Sequence, residues 1–246
     1  MKLNGLRLLS TVLFWLSLTA AAQENVYRVA LIAHSPPLSY IDQDGKFTGF
    51  NVEIAKELCA TMKVRCIQQA VLVDKIVEMA ATDQVDFAVV GFIPTPERRE
   101  RVLFSKVYFQ SMSVWLAKPA VAARKSRSSV AVIKGSAQSS HAQSMGWKTT
   151  EVATNMDIAS LLVSGQADAA VLPMLGALSL TQENSLLHLG LKSTVISGPL
   201  ITGSLHMVVN PNKADLVARI DAAIDQIKRD GRFNRINSKF VPFSLL

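Results

Sequence analysis

The chain has 246 residues, with 26 basic and 19 acidic side chains for a formal charge of +7. That length suffices for one large domain or two small ones. The basic excess is modest, and no aromatic-interleaved basic stripe accompanies it, which argues against a nucleic-acid partner.

In chain order, the first feature is a leader. Lys2 and Arg7 precede the apolar run Leu8–Leu18, which contains Ser10, Thr11 and Ser17 and ends in Thr19-Ala20-Ala21-Ala22-Gln23. A basic start, a short apolar run and a small-residue exit read as a secretory signal peptide over residues 1–22, cleaved near Ala22. The run is too short and too rich in hydroxyls for a spanning helix, which needs about 20 apolar residues. No cysteine follows the expected cleavage point and no later stretch is apolar enough to span, so no stable membrane anchor is expected. Removing Lys2 and Arg7 with the leader takes the charge from +7 to +5.

Tyr27–Ala33 reads as a strand stopped by Ser35-Pro36-Pro37, and Asp44-Gly45 marks a turn. A helix follows, with Asn51 as a candidate cap and Ile54, Ala55, Leu58, Cys59 and Met62 along one stripe. Val64–Gln68 is a short strand that brings Cys66 back towards Cys59. These two are the only cysteines, and in an oxidising compartment an even count reads as a disulfide. Closing such a loop is worth roughly 2–3 kcal/mol in the chain-entropy model. Two free buried thiols are the alternative, and no nearby His or Cys completes a zinc site. Another helix carries Ile76, Val77, Met79 and Ala80, and Val85–Gly91 is a buried strand. Strands alternating with helices imply an α/β fold with mostly parallel sheets covered on both faces.

The pattern then recurs. Gln84–Val90 has a partner in Gln166–Leu172, each after an apolar-striped helix, and Val29–Ile32 is echoed by Val130–Ile133. Two matches in the same order suggest two similar lobes. The tail differs: Met207–Val209 is a strand, Leu216–Ile227 stripes a long helix ended by Gly231, and Phe233, Ile236 and Phe240 stripe a short one. This tail is expected to return to the first lobe. Lobe 1 then comprises residues 23–111 and 201–246, and lobe 2 residues 112–200. Two crossings, near Phe109–Ser113 and Pro199–Gly203, would make a two-stranded hinge that permits closure on a ligand. The basic residues Lys118, Arg124, Lys125 and Arg127 fall in a loop and read as a solvated cluster.

Two turns carry chemistry. Gly91-Phe92-Ile93-Pro94-Thr95-Pro96-Glu97-Arg98 follows the carboxyl end of a strand, where ligands of open α/β sheets gather. Thr95 suits an N-cap and Pro96 the first helical position, so helical N–H groups should face the cleft beside Arg98. The planar guanidinium of Arg98 can hold a carboxylate through two bonds. In the second lobe, Lys134-Gly135-Ser136-Ala137-Gln138 follows a strand and opens a polar helix.

These segments together resemble the periplasmic solute-binding proteins of family 3, the polar amino-acid type, which have the type II periplasmic-binding fold. The matching runs are Pro36–Tyr40, Asp44–Glu53, Val85-Asp86, Thr95–Arg98, Phe104-Ser105, Gly135-Ser136, Ala167–Ala169 and Asp230–Phe233. The resemblance implies a two-lobed receptor that feeds the permease of an ABC importer, and a disulfide between Cys59 and Cys66. It also implies a ligand site that includes Arg98 for a carboxylate, Gly91, Phe92 and Ile93 on the first lobe, and Ser136, Ala137 and Gln138 on the second. Departures concern the ammonium. Family members that bind ordinary amino acids use an acid near the position of Ile32, with Ala33 or His34 as neighbours, and a second at Pro173. Ser35 and Val73 stand where bulky groups often stack on the ligand. A buried charge without its partner costs about 3–5 kcal/mol, a hundredfold to a few thousandfold in affinity. Weak or no binding of standard α-amino acids is therefore expected, and a small anionic solute is favoured. A monomer without cofactor or metal is expected. A dehydratase of prephenate-like acids on the same fold, with His34 as its one acid–base candidate, and a sensory or partner-binding module are the competing readings.

Overall fold

The computed structural model describes residues 25–121, 128–198 and 200–246. The leader and the basic residues Arg124, Lys125 and Arg127 lie outside the described residues.

The chain opens with strand β1 (Val26–Ile32), the small hairpin β2 (Tyr40–Ile41) and β3 (Phe47–Thr48), and helix α1 (Phe50–Met62). It continues through β4 (Arg65–Val71), α2 (Val73–Ala81), β5 (Phe87–Phe92), the single turn α3 (Pro96–Arg99) and β6 (Leu103–Ser111). After Met112 come β7 (Ser113–Ala117), β8 (Ser129–Ile133), α4 (Ala137–Ser144), β9 (Lys148–Val152), α5 (Asn155–Val163) and β10 (Ala169–Pro173). Helices α6 (Met174–Leu180) and α7 (Asn184–Leu187) and strand β11 (Lys192–Ile196) complete that half. The tail is β12 (Gly203–Val209), α8 (Ala214–Arg229) and α9 (Arg232–Phe240).

Two five-stranded sheets result, in the orders β4-β1-β5-β12-β6 and β11-β7-β10-β8-β9. Strand pairings put four strands of each sheet in one direction and reverse the fifth, β12 in the first sheet and β7 in the second. Each reversed strand is the one that enters its sheet directly after a crossing. The tail packs as expected on the first half: α8 and α9 bury Leu216, Ile220, Ile224, Ile227 and Phe233 with Leu31, Leu58 and Val89. Alternate residues of β1 and β5 face the other way, where Ala30, Ala88 and Val90 meet Ile76 and Ala80 of α2. Both faces of the sheet are therefore covered, which explains why β5 is buried at nearly every position.

The internal repeat extends to hydrogen-bond register. Val29 and Ala30 pair with Phe87 and Ala88, and their counterparts Val130 and Ala131 pair with Ala169 and Ala170. An aspartate fixes each register. Asp86 accepts the Arg28 backbone N–H at 2.6 Å and returns its own N–H to the Arg28 carbonyl, while Asp168 does the same with Ser129. Asp86 is buried, and its carboxylate also takes the Arg28 guanidinium at 3.0 Å and Lys213 at 3.4 Å. Burial works against its charge, but the hydrogen bonds from Arg28 win and hold its carboxyl below the usual range. Because the folded pKa is depressed, the stabilisation is present above an ordinary carboxylate pKa of about 3.9 and is lost as pH falls through the folded value. Asp86→Ala should lower the unfolding free energy by about 2–4 kcal/mol at neutral pH. The difference from the parent in denaturant titrations should stay level from pH 5 to 8 and shrink below about pH 4. The exposed Asp168, with no cation upon it among the described residues, should cost less than about 1 kcal/mol when changed to Ala.

Two local expectations are corrected. Helix α1 is capped at Gly49 rather than by Asn51, which is buried in its first turn and accepts from the Tyr108 hydroxyl at 3.1 Å. Gly49 has φ +126, and a Cβ there would lie 2.4 Å from the Leu38 carbonyl oxygen, so the close approach of two backbones selects glycine. Strand β4 runs to Val71, three residues beyond the expected end at Gln68, because its whole length pairs with β1. Cys59 and Cys66 form a disulfide that ties α1 to β4.

Candidate functional site

A cavity of about 110 Å³ lies between the two sheets' carboxyl ends. A single water needs about 10–15 Å³ on the same measure, so the space suits one small solute. The structure brings Arg98, Gly91, Phe92, Ile93, Ser136, Ala137, Gln138, Ser35, His34, Val73 and Pro173 together in its lining. Ile32 and Ala33, where an acid was looked for, line it as well.

Arg98 is delivered by a single turn of helix, not by a long one. Thr95 caps that turn with its hydroxyl, which accepts the Arg98 N–H at 3.3 Å, and Pro96 occupies the first helical position. The guanidinium lies over the Phe92 ring, 4.3 Å from its centroid. One terminal nitrogen donates to the Ile93 carbonyl at 2.9 Å, and the other reaches the Gly135 carbonyl of the second lobe at 2.9 Å. Three of the five guanidinium N–H donors thus keep no carbonyl partner among the described residues. Burial pulls this group down to about 10, which leaves it protonated at neutral pH.

The second wall is the turn before α4. Ser136 caps the helix by accepting the Ser139 N–H at 3.0 Å, so the first-turn N–H groups of Ala137 and Gln138 have no acceptor within the helix. The Gln138 amide is 7% exposed and donates to Ser113 Oγ at 2.8 Å, and Ser113 in turn donates to the Ile201 carbonyl. Since Ser113 begins the strand after the first crossing and Ile201 lies in the second crossing, this chain ties the cavity wall to both crossings between the sheets.

The lobes meet beside Arg98. Gly135 has φ +72 and packs on Asp74 of α2, and Lys134 pairs with the Asp74 carboxylate at 3.7 Å. Val73 touches apolar clusters of both lobes, and Leu175 of α6 packs into the first lobe's core.

Ser111, Ser113, Ala153, Thr154, Asn155, Gly176 and Ile201 line the cavity without having been anticipated. The repeat held a signal for some of them. The Ala33 N–H bonds to the Val71 carbonyl and the Lys134 N–H to the Val152 carbonyl, so Ala153–Asn155 follow their strand as Leu72–Asp74 follow theirs. Val73 was anticipated and its counterpart region was not.

Residues 27–243 match the family described as bacterial extracellular solute-binding proteins, family 3. The chain belongs to this family. An L-arginine-binding protein of Pseudomonas aeruginosa is 24% identical, with 94% of this chain and 93% of the relative covered. An ancestral arginine-binding protein solved with arginine bound matches the fold with a TM-score of 0.78, at 24% identity, over 88% of this chain and 98% of that one. A third structure, an ancestral amino-acid-binding protein described as a precursor of cyclohexadienyl dehydratase, gives 0.74 at 24% identity, over 87% of this chain and 95% of that one. The family 3 chain has the two-lobed type II periplasmic-binding fold, and it is a binding protein rather than an enzyme. No helix among the described residues is long and apolar enough to cross a membrane.

Proposed function

We propose that this family 3 protein is a periplasmic receptor that closes on a small solute through the solute's carboxylate, offers no carboxylate to an ammonium group, and serves an ABC importer. The observation that carries the reading is the charge of the cavity: among the described residues, Arg98 is the one Arg, Lys, Asp or Glu in its lining. A carboxylate between Arg98 and the N–H groups of Ala137 and Gln138 would be held from both lobes at once. Sheet membership supports lobe 1 as residues 23–111 and 201–246 and lobe 2 as 112–200, and export with cleavage near Ala22 accords with relatives named as periplasmic.

A cavity with no acid among its described lining residues would discriminate against α-amino acids. The relatives named for arginine accept a ligand with two cationic groups, whereas arginine here would bring both into a site already holding Arg98. Apolar surface from Ile32, Leu38, Val73, Ile133, Leu172 and Leu205 suits a neutral body instead. The test is a thermal-shift screen of the mature protein against L-arginine, L-glutamine, pentanoate, 2-oxopentanoate and succinate. A ligand at 100 times its dissociation constant adds about 2.7 kcal/mol, which is a shift of a few degrees. Shifts with the acids and none with the amino acids support the reading; a shift with L-arginine or L-glutamine alone overturns it.

A further inference from the structure

Three polar side chains of the lining are more than nine-tenths buried: Ser113, Gln138 and Asn155. Gln138 donates to Ser113, and Ser113 donates to the Ile201 carbonyl. Asn155 is 8% exposed as a residue; its amide makes no hydrogen bond among the described residues, and its amide atoms are not among the sealed unpartnered ones, so they stay open to the cavity. It is not sealed into the core, because it borders the cavity. An amide that no protein group engages and that opens onto a binding cavity is free to bond a ligand there, and closure on a ligand would leave it dry unless the ligand supplied that bond.

The local structure leaves the amide free of capping work. Asn155 opens the nine-residue helix α5, whose end is fixed by a reciprocal box between Thr154 and Asp157. That box takes the Thr154 hydroxyl, so the capping work is done without Asn155. Across from it stands Gly176, where a Cβ would come within 3.3 Å of the Asn155 amide nitrogen. Glycine there leaves the amide room at the cavity edge.

We infer that Asn155 is a specificity-determining residue that reads an uncharged oxygen, an oxo or hydroxyl group, on a carboxylate-bearing solute. The amide offers two donors and one acceptor and carries no charge. A solute that closed the cavity with only methylene groups against it would leave those donors unpaired and dry, which binding sites penalise strongly. This inference rests on the carboxylate reading of Arg98 and adds the second recognition element.

The experiment is calorimetric titration of the full mature chain with pentanoate, 2-oxopentanoate and 4-oxopentanoate. The parent should bind at least one oxo acid about tenfold more tightly than pentanoate. Asn155→Leu, similar in size, should keep pentanoate affinity and lose that preference. Asn155→Asp, well suited to a helix start, removes the amide donors and should lose it too. Equal binding of all three acids by the parent, or a preference retained in both variants, overturns the role of Asn155 while leaving the carboxylate reading standing. Binding of none of the three overturns both.

Discussion

Arg98→Ala should weaken binding of a carboxylate solute by two to three orders of magnitude while leaving the unliganded protein's melting temperature nearly unchanged. The affinity loss follows from what the guanidinium does. Among the described residues it is the single Arg or Lys of the cavity lining, with two N–H groups fixed on the Ile93 and Gly135 carbonyls and the remainder available. Truncating one partner of a desolvated, hydrogen-bonded charge pair costs about 2–5 kcal/mol, since the solute's carboxylate would enter a closed site with no counter-ion. Stability is spared because the turn is capped through the Arg98 backbone N–H, which the variant keeps. Arg98→Lys should recover only part of the affinity, since an ammonium is a point charge that cannot span two carbonyls and a carboxylate in one plane. Calorimetric titration of the parent and both variants checks the order; an Arg98→Ala protein that binds as the parent does would remove Arg98 from the site.

Gly135→Ala should abolish tight binding by a different route, by holding the lobes apart. The residue's positive φ is not the main obstacle. His34 occupies the equivalent turn of the first lobe with φ 51 and carries a full imidazole. What differs is the opposite wall. A Cβ at Gly135 would lie 2.7 Å from the Asp74 Cα and 2.9 Å from its Cβ, distances that side chains do not tolerate. The left-handed conformation alone adds about 1 kcal/mol for Ala, so each lobe should still fold. The backbone contact with Asp74, and with it the Arg98 bond to the Gly135 carbonyl, could not form. Solution scattering in saturating ligand should show a larger radius of gyration for the variant than for the parent, with affinity reduced at least about tenfold. Parent-like closure and affinity would mean that the contact of Gly135 with Asp74 plays no part in the bound form.

Much of this architecture was legible before any coordinates. The repeats around Asp86 and Asp168 placed equivalent strands correctly because a buried β-strand preserves its residue pattern, and the aspartates carry the same backbone bond in both lobes. The return of the tail was legible from its different pattern, and β12 joins the first sheet with α8 and α9 packed against it. The wall residues of the first lobe were legible because strand-end turns show their Gly, Pro and Thr chemistry locally. Contacts made only by closure were not. Nothing near Gly135 in the sequence announces Asp74, and nothing near Arg98 announces the Gly135 carbonyl, since these pairs meet across a cleft. Asn155 escaped for a related reason: a polar residue at a helix start reads as part of the cap, and only its missing partner singles it out. Asn51 erred in the opposite sense, a residue suited to capping that is buried instead against Tyr108.

The proposed preference, in a cavity with no acid among its described lining residues, is for a carboxylate without an ammonium. It is tested most directly by two ligands that differ in that group alone. 4-Methylpentanoate and L-leucine share the same branched body and carboxylate, and leucine adds the α-ammonium. Isothermal titration of the mature protein at pH 7 should show the deaminated acid binding at least about a hundredfold more tightly, the cost of an unpaired buried charge. Equal or tighter binding of L-leucine would contradict the account.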